Sequence, residues 1–383
     1  MTTMIALTLG VALAADPNLN AALETIRNVG KEGKGNSEAV KAWRVAAAAP
    51  ASEVTTLLTA FDGANPLAVN YLQSAVDAVV QKNKAEIPLD NVDAFLKELK
   101  HAASARRLAF DILVKVDPKR KAPLLDSMLD DPAAELRRDA VQVVIDKADA
   151  AVKSDKKDDA KGVYQKALDH ARDQDQVESI AANLRKLGVP IDLSHQFGFL
   201  MKWKVVGPFE NKKDVGWPVE YPPEKTIDLA AEYDGKVGKV KWQDFETDED
   251  QGTVDVNKHF KTKHKGAIIY ALAKFDSDKD QDVEIRLGSL VAWKLWVNGE
   301  KLFERFESHA GYNVDQYKVP AKLKKGENTI LLKVCQNEQT EAWAQDWMFA
   351  LRVSDPLGKA IHSTSRPPAK PTLGKAKAQE KKQ

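Results

Sequence analysis

The side chains here that could do chemistry are scattered, and their spacing argues against most catalytic uses. His259 and His264 are five residues apart, flanked by Lys258, Lys261, Lys263 and Lys265. Metal-ligating histidines want anionic partners behind them, and this basic neighbourhood repels cations, so a solvated hairpin is expected. Asp276-Ser277-Asp278-Lys279-Asp280-Gln281-Asp282 alternates hard oxygen donors as a calcium loop does. Gln281 stands where an EF-hand needs glycine, and Leu287 where it needs a bidentate glutamate, so that motif is excluded. A looser calcium site and a solvated acidic turn are the readings left. Gly30-Lys31-Glu32-Gly33-Lys34-Gly35-Asn36-Ser37 lacks the spacing of a phosphate loop and links two helices where such a loop follows a strand. Cys335, the one cysteine, lies in an apolar strand run with no histidine or helix start to activate it. No catalytic residue, metal ligand or cofactor is assigned.

Flat aromatic surface is the chemistry that remains. Pyranose rings stack on indole and phenol faces while polar neighbours fix their hydroxyls. Trp217, Tyr221, Tyr312, Trp343 and Trp347 lie in or beside predicted loops, where binding residues gather. Trp343, among small and polar residues, is the best exposed candidate. Trp293 shares strand parity with Leu295 and Val297 and is expected in the core. Trp296 shares parity with Lys294, so it faces outward or lies beneath another segment.

These residues need elements to hold them. At 383 residues the chain can build two domains, each with its own core. Its 57 Lys and Arg nearly cancel its 56 Asp and Glu, leaving a net charge of +1. That balance excludes a dedicated nucleic-acid binder, which needs a basic footprint. Residues 1–15 hold a short apolar run ending in Ala12-Leu13-Ala14, too short to span a bilayer and expected to be a signal peptide. The alternative is an N-terminal core helix, because Met1 to Met4 hold no Lys or Arg. No other stretch reaches transmembrane length.

From residue 16 to 190 the pattern is helical. Asp16-Pro17 opens the first helix, whose face carries Leu19, Leu23 and Ile26. Ser37 and Ser52 are expected N-caps of the next two, and later helices start near Pro66, Asp90 and Ala103. Ala122-Pro123-Leu124-Leu125-Asp126-Ser127-Met128-Leu129-Asp130-Asp131-Pro132-Ala133-Ala134-Glu135-Leu136-Arg137-Arg138-Asp139-Ala140-Val141 resembles a HEAT-type repeat. Asp131 is placed to cap and Arg138 to bond a neighbouring repeat. Ala105 to Phe110 looks like the second helix of an earlier, more degenerate unit. Stacked helix pairs imply a short α-solenoid with a concave protein-binding face, an irregular bundle being the other arrangement.

Near Ile191 period-two alternation, tryptophans and Gly-Pro pairs take over. Trp203-Lys204-Val205-Val206-Gly207-Pro208-Phe209-Glu210, the Tyr221-Pro222-Pro223-Glu224 loop and the Trp296-Val297-Asn298-Gly299 hairpin come in turn. Strands are expected at 237–245, 266–275, 282–287, 292–297, 301–306, 316–319, 328–335 and 347–353. Together these motifs resemble, over residues 196–355, a galactose-binding-like β-sandwich module of exported, planctomycete-like bacterial proteins, where it often follows helical repeats. Related modules often carry an acidic pair before the Trp-x-Asn-Gly hairpin. Here Gly288 to Ala292 replace it, so calcium-mediated sugar chelation is not carried over.

The predicted fold class is multidomain α plus all-β: a HEAT-like α-solenoid (16–190) followed by an antiparallel, jelly-roll β-sandwich (191–358), with a disordered basic tail (359–383). The expected function is non-catalytic, exported binding, periplasmic or extracellular. The sandwich would recognise a glycan or cell-envelope polymer and the helices a protein partner. The competing expectation is a structural or assembly protein of the envelope that binds no sugar.

Overall fold

The structure, a computed structural model, describes residues 17–373 except 261 and 310. The expected signal segment and residues 374–383 lie outside the described residues. The chain is α plus β, helices first and antiparallel sheets after, and its contacts divide it into two units, 1–147 and 148–383. The division falls inside a helix, some forty residues before the sequence boundary at 190.

The first unit is built from α1 (Pro17–Arg27), α2 (Asn36–Ala47), α3 (Val54–Thr59), α4 (Pro66–Lys82), α5 (Leu89–Lys97), α6 (Ala103–Val116), α7 (Lys121–Asp126) and the start of α8 (Ala134–Lys153). The expected starts near Pro66, Asp90 and Ala103 all fall within one residue of observed ones. Asn65 shows why α4 begins where it does. Its side-chain oxygen accepts from the N–H groups of Leu67 and Ala68, Pro66 presets the first helical φ, and its amide donates to Arg27 and Val29 carbonyls at the end of α1. The expected caps Ser37 and Ser52 do not act: α2 starts from Gly35 in the left-handed region without a side-chain cap, and Ser52 lies in a 3-10 turn ahead of α3. Asp131 is more than a cap. It accepts from Ala133 N–H and takes a bidentate pair from buried Arg106 at 2.6 Å, while Arg107 reaches Asp139 at 2.6 Å. These links join α6 to the α7–α8 turn and to α8 itself.

The second unit opens with α9 (Lys157–His170), α10 (Gln174–Lys186) and the short α11 (Leu193–Phe197). Gln196 of α11 donates to the Leu168 carbonyl of α9, while Arg185 of α10 donates to Asp250 at 3.1 Å and Gln251 donates to Glu178, tying α10 to the segment at residues 250–251. The strands are β1 (Lys202–Glu210), β2 (Glu232–Gly235), β3 (Gly238–Lys241), β4 (Gln243–Glu246), β5 (Val254–Asp255), β6 (Ala267–Ser277), β7 (Gln281–Ser289), β8 (Ala292–Val297), β9 (Glu300–Arg305), β10 (Tyr317–Leu323), β11 (Gly326–Gln336) and β12 (Met348–Ser354). A six-stranded sheet runs β4-β1-β6-β11-β8-β9 and a four-stranded sheet β10-β7-β12-β5, every pairing antiparallel, with β2–β3 as a separate ladder.

The two larger sheets share one core. Ile269, Ala271, Phe275, Trp293, Leu295 and Leu332 of the first meet Ile285, Leu287, Phe349 and Leu351 of the second. The other face of the six-stranded sheet is also covered: Ile268, Tyr270, Leu272, Trp296 and Leu331 lie under Tyr233, Val240 and Trp242, with Trp217 and Tyr221 packed against them. Burial on both faces explains why residues 267–273 of β6 read as an unbroken apolar run and why β8 is apolar at every position but Lys294. The expected strand over 237–245 is broken at Trp242, whose ring turns into this second core, giving β3 and β4. The Asn298-Gly299 turn is observed with φ of +53° and +82°, the two-positive-φ geometry of a tight hairpin.

The tail departs from its expected disorder as far as the description runs. Ala360 bridges Ser354, Ile361 N–H donates to Val353 O and its side chain packs on the sheet core, and Thr372 bridges Ile191. One apolar anchor and a row of backbone bonds order a strap that composition alone made look unbound.

Candidate functional site

The expected aromatic residues do not converge on one spot. Trp347 is fully buried, stacked with Phe260 at 6.0 Å in the core between the sheets, and is withdrawn as a ligand contact. Its place one residue before β12 looked like a loop, but the backbone there already follows the strand inward. Tyr312 is half-buried, its hydroxyl 3.3 Å from Thr253 Oγ1, and burial raises its pKa. Tyr221 gives its hydroxyl to the Glu210 carbonyl at 2.6 Å and packs on Phe209 at 4.8 Å. Its ring holds the Tyr-Pro-Pro-Glu segment down.

A buried cation holds the same segment. Lys333, on the covered face of β11, donates to Glu224 at 2.8 Å and to the carbonyls of Val219 at 2.7 Å and Trp217 at 3.2 Å. The hydroxyl of Tyr270 bonds the same Glu224 oxygen. Burial pushes the Lys333 ammonium pKa down and the Glu224 carboxylate pulls against that; burial drives the Tyr270 phenol far up. Lys294 Nζ lies 4.5 Å over the Trp217 ring, which also meets Phe306 at 5.0 Å. Cys335 is enclosed on this face, and burial raises its thiol to about 12, which leaves it inert.

Trp343 is different. It is 63% exposed, on a 3-10 turn (Ala342–Ala344) that Ala344 roots in the core. Lys265 Nζ donates to the Ala344 carbonyl at 2.6 Å, and Gln345 donates to the Glu341 carbonyl, so the turn is fixed from both sides. The indole meets the His309 imidazole edge-on at 4.8 Å. Asn337 Nδ2 lies 2.9 Å from His309 Nε2 and donates to Gln339 Oε1 at 2.9 Å, while His309 N–H donates to the Leu290 carbonyl. An outward-facing indole on an anchored turn, edged by an imidazole that is itself bonded to an amide pair, can take a flat, hydroxyl-rich face. The stretch from Phe306 to His309 touches Trp217 at one end and Trp343 at the other, and Phe306 is itself 58% exposed.

Sequence reasoning missed His309, Asn337 and Phe306. A polar Asn337-Glu338-Gln339 run straight after an apolar strand was a usable signal; His309 had none, since it is brought in by the fold. His259 and His264 pack edge-on against Phe260 at 4.9 and 4.8 Å, not on a solvated hairpin. Asp280 of the acidic run accepts from Lys325 N–H at 2.6 Å, linking the β6–β7 and β10–β11 turns, both of which cross from one sheet to the other. No helix among the described residues is long and apolar enough to cross a membrane.

No protein-family profile matches the chain, and no curated protein does. Among solved structures, a β-glucosidase from Kluyveromyces marxianus is similar at 12% identity and a TM-score of 0.25, covering 41% of this chain and 16% of its own. An anti-sigma factor domain-containing protein follows at 14% identity and a TM-score of 0.23, covering 45% of this chain and 51% of its own. An α-xylosidase from Xanthomonas citri gives 14% identity and a TM-score of 0.19, covering 30% and 15%. At these scores the likenesses assign neither family nor activity.

Proposed function

We propose that this is an exported, non-catalytic binding protein whose sheet unit engages a glycan or cell-envelope polymer through the Trp343 surface. The observation that carries the reading is the exposure of Trp343 on an anchored turn, beside His309 and the Asn337 and Gln339 amides. An indole left in water at this cost, on a backbone held from both sides, is the preorganised arrangement that ring stacking needs. On this reading the sheets form a galactose-binding-like sandwich. The helices, a HEAT-like array, offer a protein partner their surface, and the site of action is periplasmic or extracellular.

The test is a panel of plant, algal and bacterial cell-wall polysaccharides probed with the full chain and with Trp343→Ala. Retention of the wild type on at least one polymer, lost in a variant of unchanged melting temperature, is expected. A folded wild type that binds none of them favours the structural or assembly reading. Four of the five aromatic candidates already lean that way, because Trp217, Tyr221, Tyr312 and Trp347 serve internal packing.

A further inference from the structure

The ordered strap closes one side of a pocket that shares no residue with the Trp343 surface. Its volume is about 390 Å³, and it lies between residues 192–202, the 246–250 segment and strap residues 363–372. That volume falls within the ordinary range of small-molecule sites, roughly 300–1,000 Å³. Leu200, Met201, Ala273, Pro367 and Pro368 give it apolar walls.

Most of the charge around the pocket is already committed. Five carboxylates and four Lys or Arg side chains line it. Asp250 pairs with Arg185 at 3.1 Å, Glu249 with Lys258 at 3.2 Å and Lys274 with Glu327 at 2.9 Å. Asp192 takes hydrogen bonds from the N–H groups of His195 and Lys370 and from the Ser194 hydroxyl, which therefore turns away from any nucleophilic use with His195. Arg366 donates to the Phe199 and Ser194 carbonyls at 2.6 and 3.0 Å, which points its guanidinium along the pocket wall. A charged ligand entering here would lose hydration and find most partners of its opposite sign already occupied. A neutral polyol loses less, and it can use what paired groups still offer: spare carboxylate lone pairs, remaining guanidinium N–H groups and the Ser363 and Ser365 hydroxyls.

We propose that this pocket is a second ligand site that takes a small, neutral, hydroxyl-rich molecule, the size of a mono- or disaccharide. The apolar walls meet the C–H face of a sugar ring, and the committed polar rim orders its hydroxyls without rearrangement. Such a pocket reads the end of a glycan, where the Trp343 surface would read its length.

The test uses the full chain and ligand-observed NMR with glucose, galactose, N-acetylglucosamine and cellobiose, and with glucosamine and glucuronate as charged comparators. Ser365→Trp and Lys370→Trp place an indole at the mouth from exposed positions of the strap. Saturation transfer to at least one neutral sugar is expected, with affinity at least tenfold weaker in both filled variants and unchanged in Trp343→Ala. Absence of any neutral-sugar signal in the wild type would overturn the proposal, as would stronger binding of either charged comparator. Binding that survives both fillings would place the sugar elsewhere and overturn it too. Loss of binding in Trp343→Ala alone would assign the sugar to the exposed indole, which separates failure of this pocket from failure of the polymer-binding reading.

Discussion

Lys333 carries a full charge into a place that water does not reach, and Glu224 answers it at 2.8 Å. Buried pairs of this kind add little net stability, but breaking one strands the other charge, at a cost of about 3–5 kcal/mol. Lys333→Met should therefore destabilise the sheet unit by about that amount in chemical denaturation. Lys333→Met combined with Glu224→Leu should recover most of the loss, because both charges are then gone. Trp343 makes the opposite case. It is 63% exposed, so Trp343→Ala should change stability by no more than about 0.5 kcal/mol while removing polymer binding. On the proposed reading one tryptophan serves a ligand and its neighbours serve the fold, which their shared residue type conceals in the sequence.

At the scale of elements, two devices are testable. The β8–β9 turn puts Gly299 at φ +82°, and Asn298 clamps it to β11 by donating to Asn328 at 2.8 Å and accepting from Thr329 N–H at 3.0 Å. Gly299→Val forces a β-branched residue into the left-handed region and should cost about 1–2 kcal/mol. The strap is the second device. His362 stacks on His195 at 4.2 Å, and burial, the neighbouring His195 and Arg366 lower the His362 pKa to about 4; only Asp192 opposes them. The His195 pKa is lowered too, by burial first and then by Arg366. Both bases are thus harder to protonate docked than released. Docking is at full strength above the ordinary imidazole pKa of about 6.5 and weakens as pH falls from there towards 4. Amide exchange of residues 360–372, corrected for intrinsic rates, should show less protection at pH 5 than at pH 7. His362→Phe, which keeps the stack and loses the proton, should flatten that difference; equal protection of the wild type at both pH values would contradict it.

Over the whole molecule, local grammar was a good guide and long-range pairing was not. Most strand positions, the Asn298-Gly299 turn and the starts near Pro66 and Ala103 are written in a few adjacent residues, and these appear; the strand over 237–245 does not survive whole. The unit boundary is not, because α9 and α10 carry ordinary helical periodicity, and their side shows in distant pairs such as Arg185 with Asp250 and Gln251 with Glu178. The strap escaped for the same reason: Ile361 and Arg366 find their partners some 8 to 172 residues away. Of the candidate site, Trp343 was legible from its small, polar surroundings. Trp347 was misplaced because loop proximity in sequence says nothing of which way a ring turns. Trp343 is also the single exposed tryptophan of the eight in the chain, so it can be watched directly. The most direct measurement is acrylamide quenching of tryptophan fluorescence in the full chain, with and without the polysaccharide that retains it. Bound polymer should shield the most quenchable fraction, and Trp343→Ala should lose that fraction, leaving only the weaker quenching of half-buried Trp43 and Trp217. A retained polymer that leaves quenching unchanged would contradict Trp343 as the binding surface.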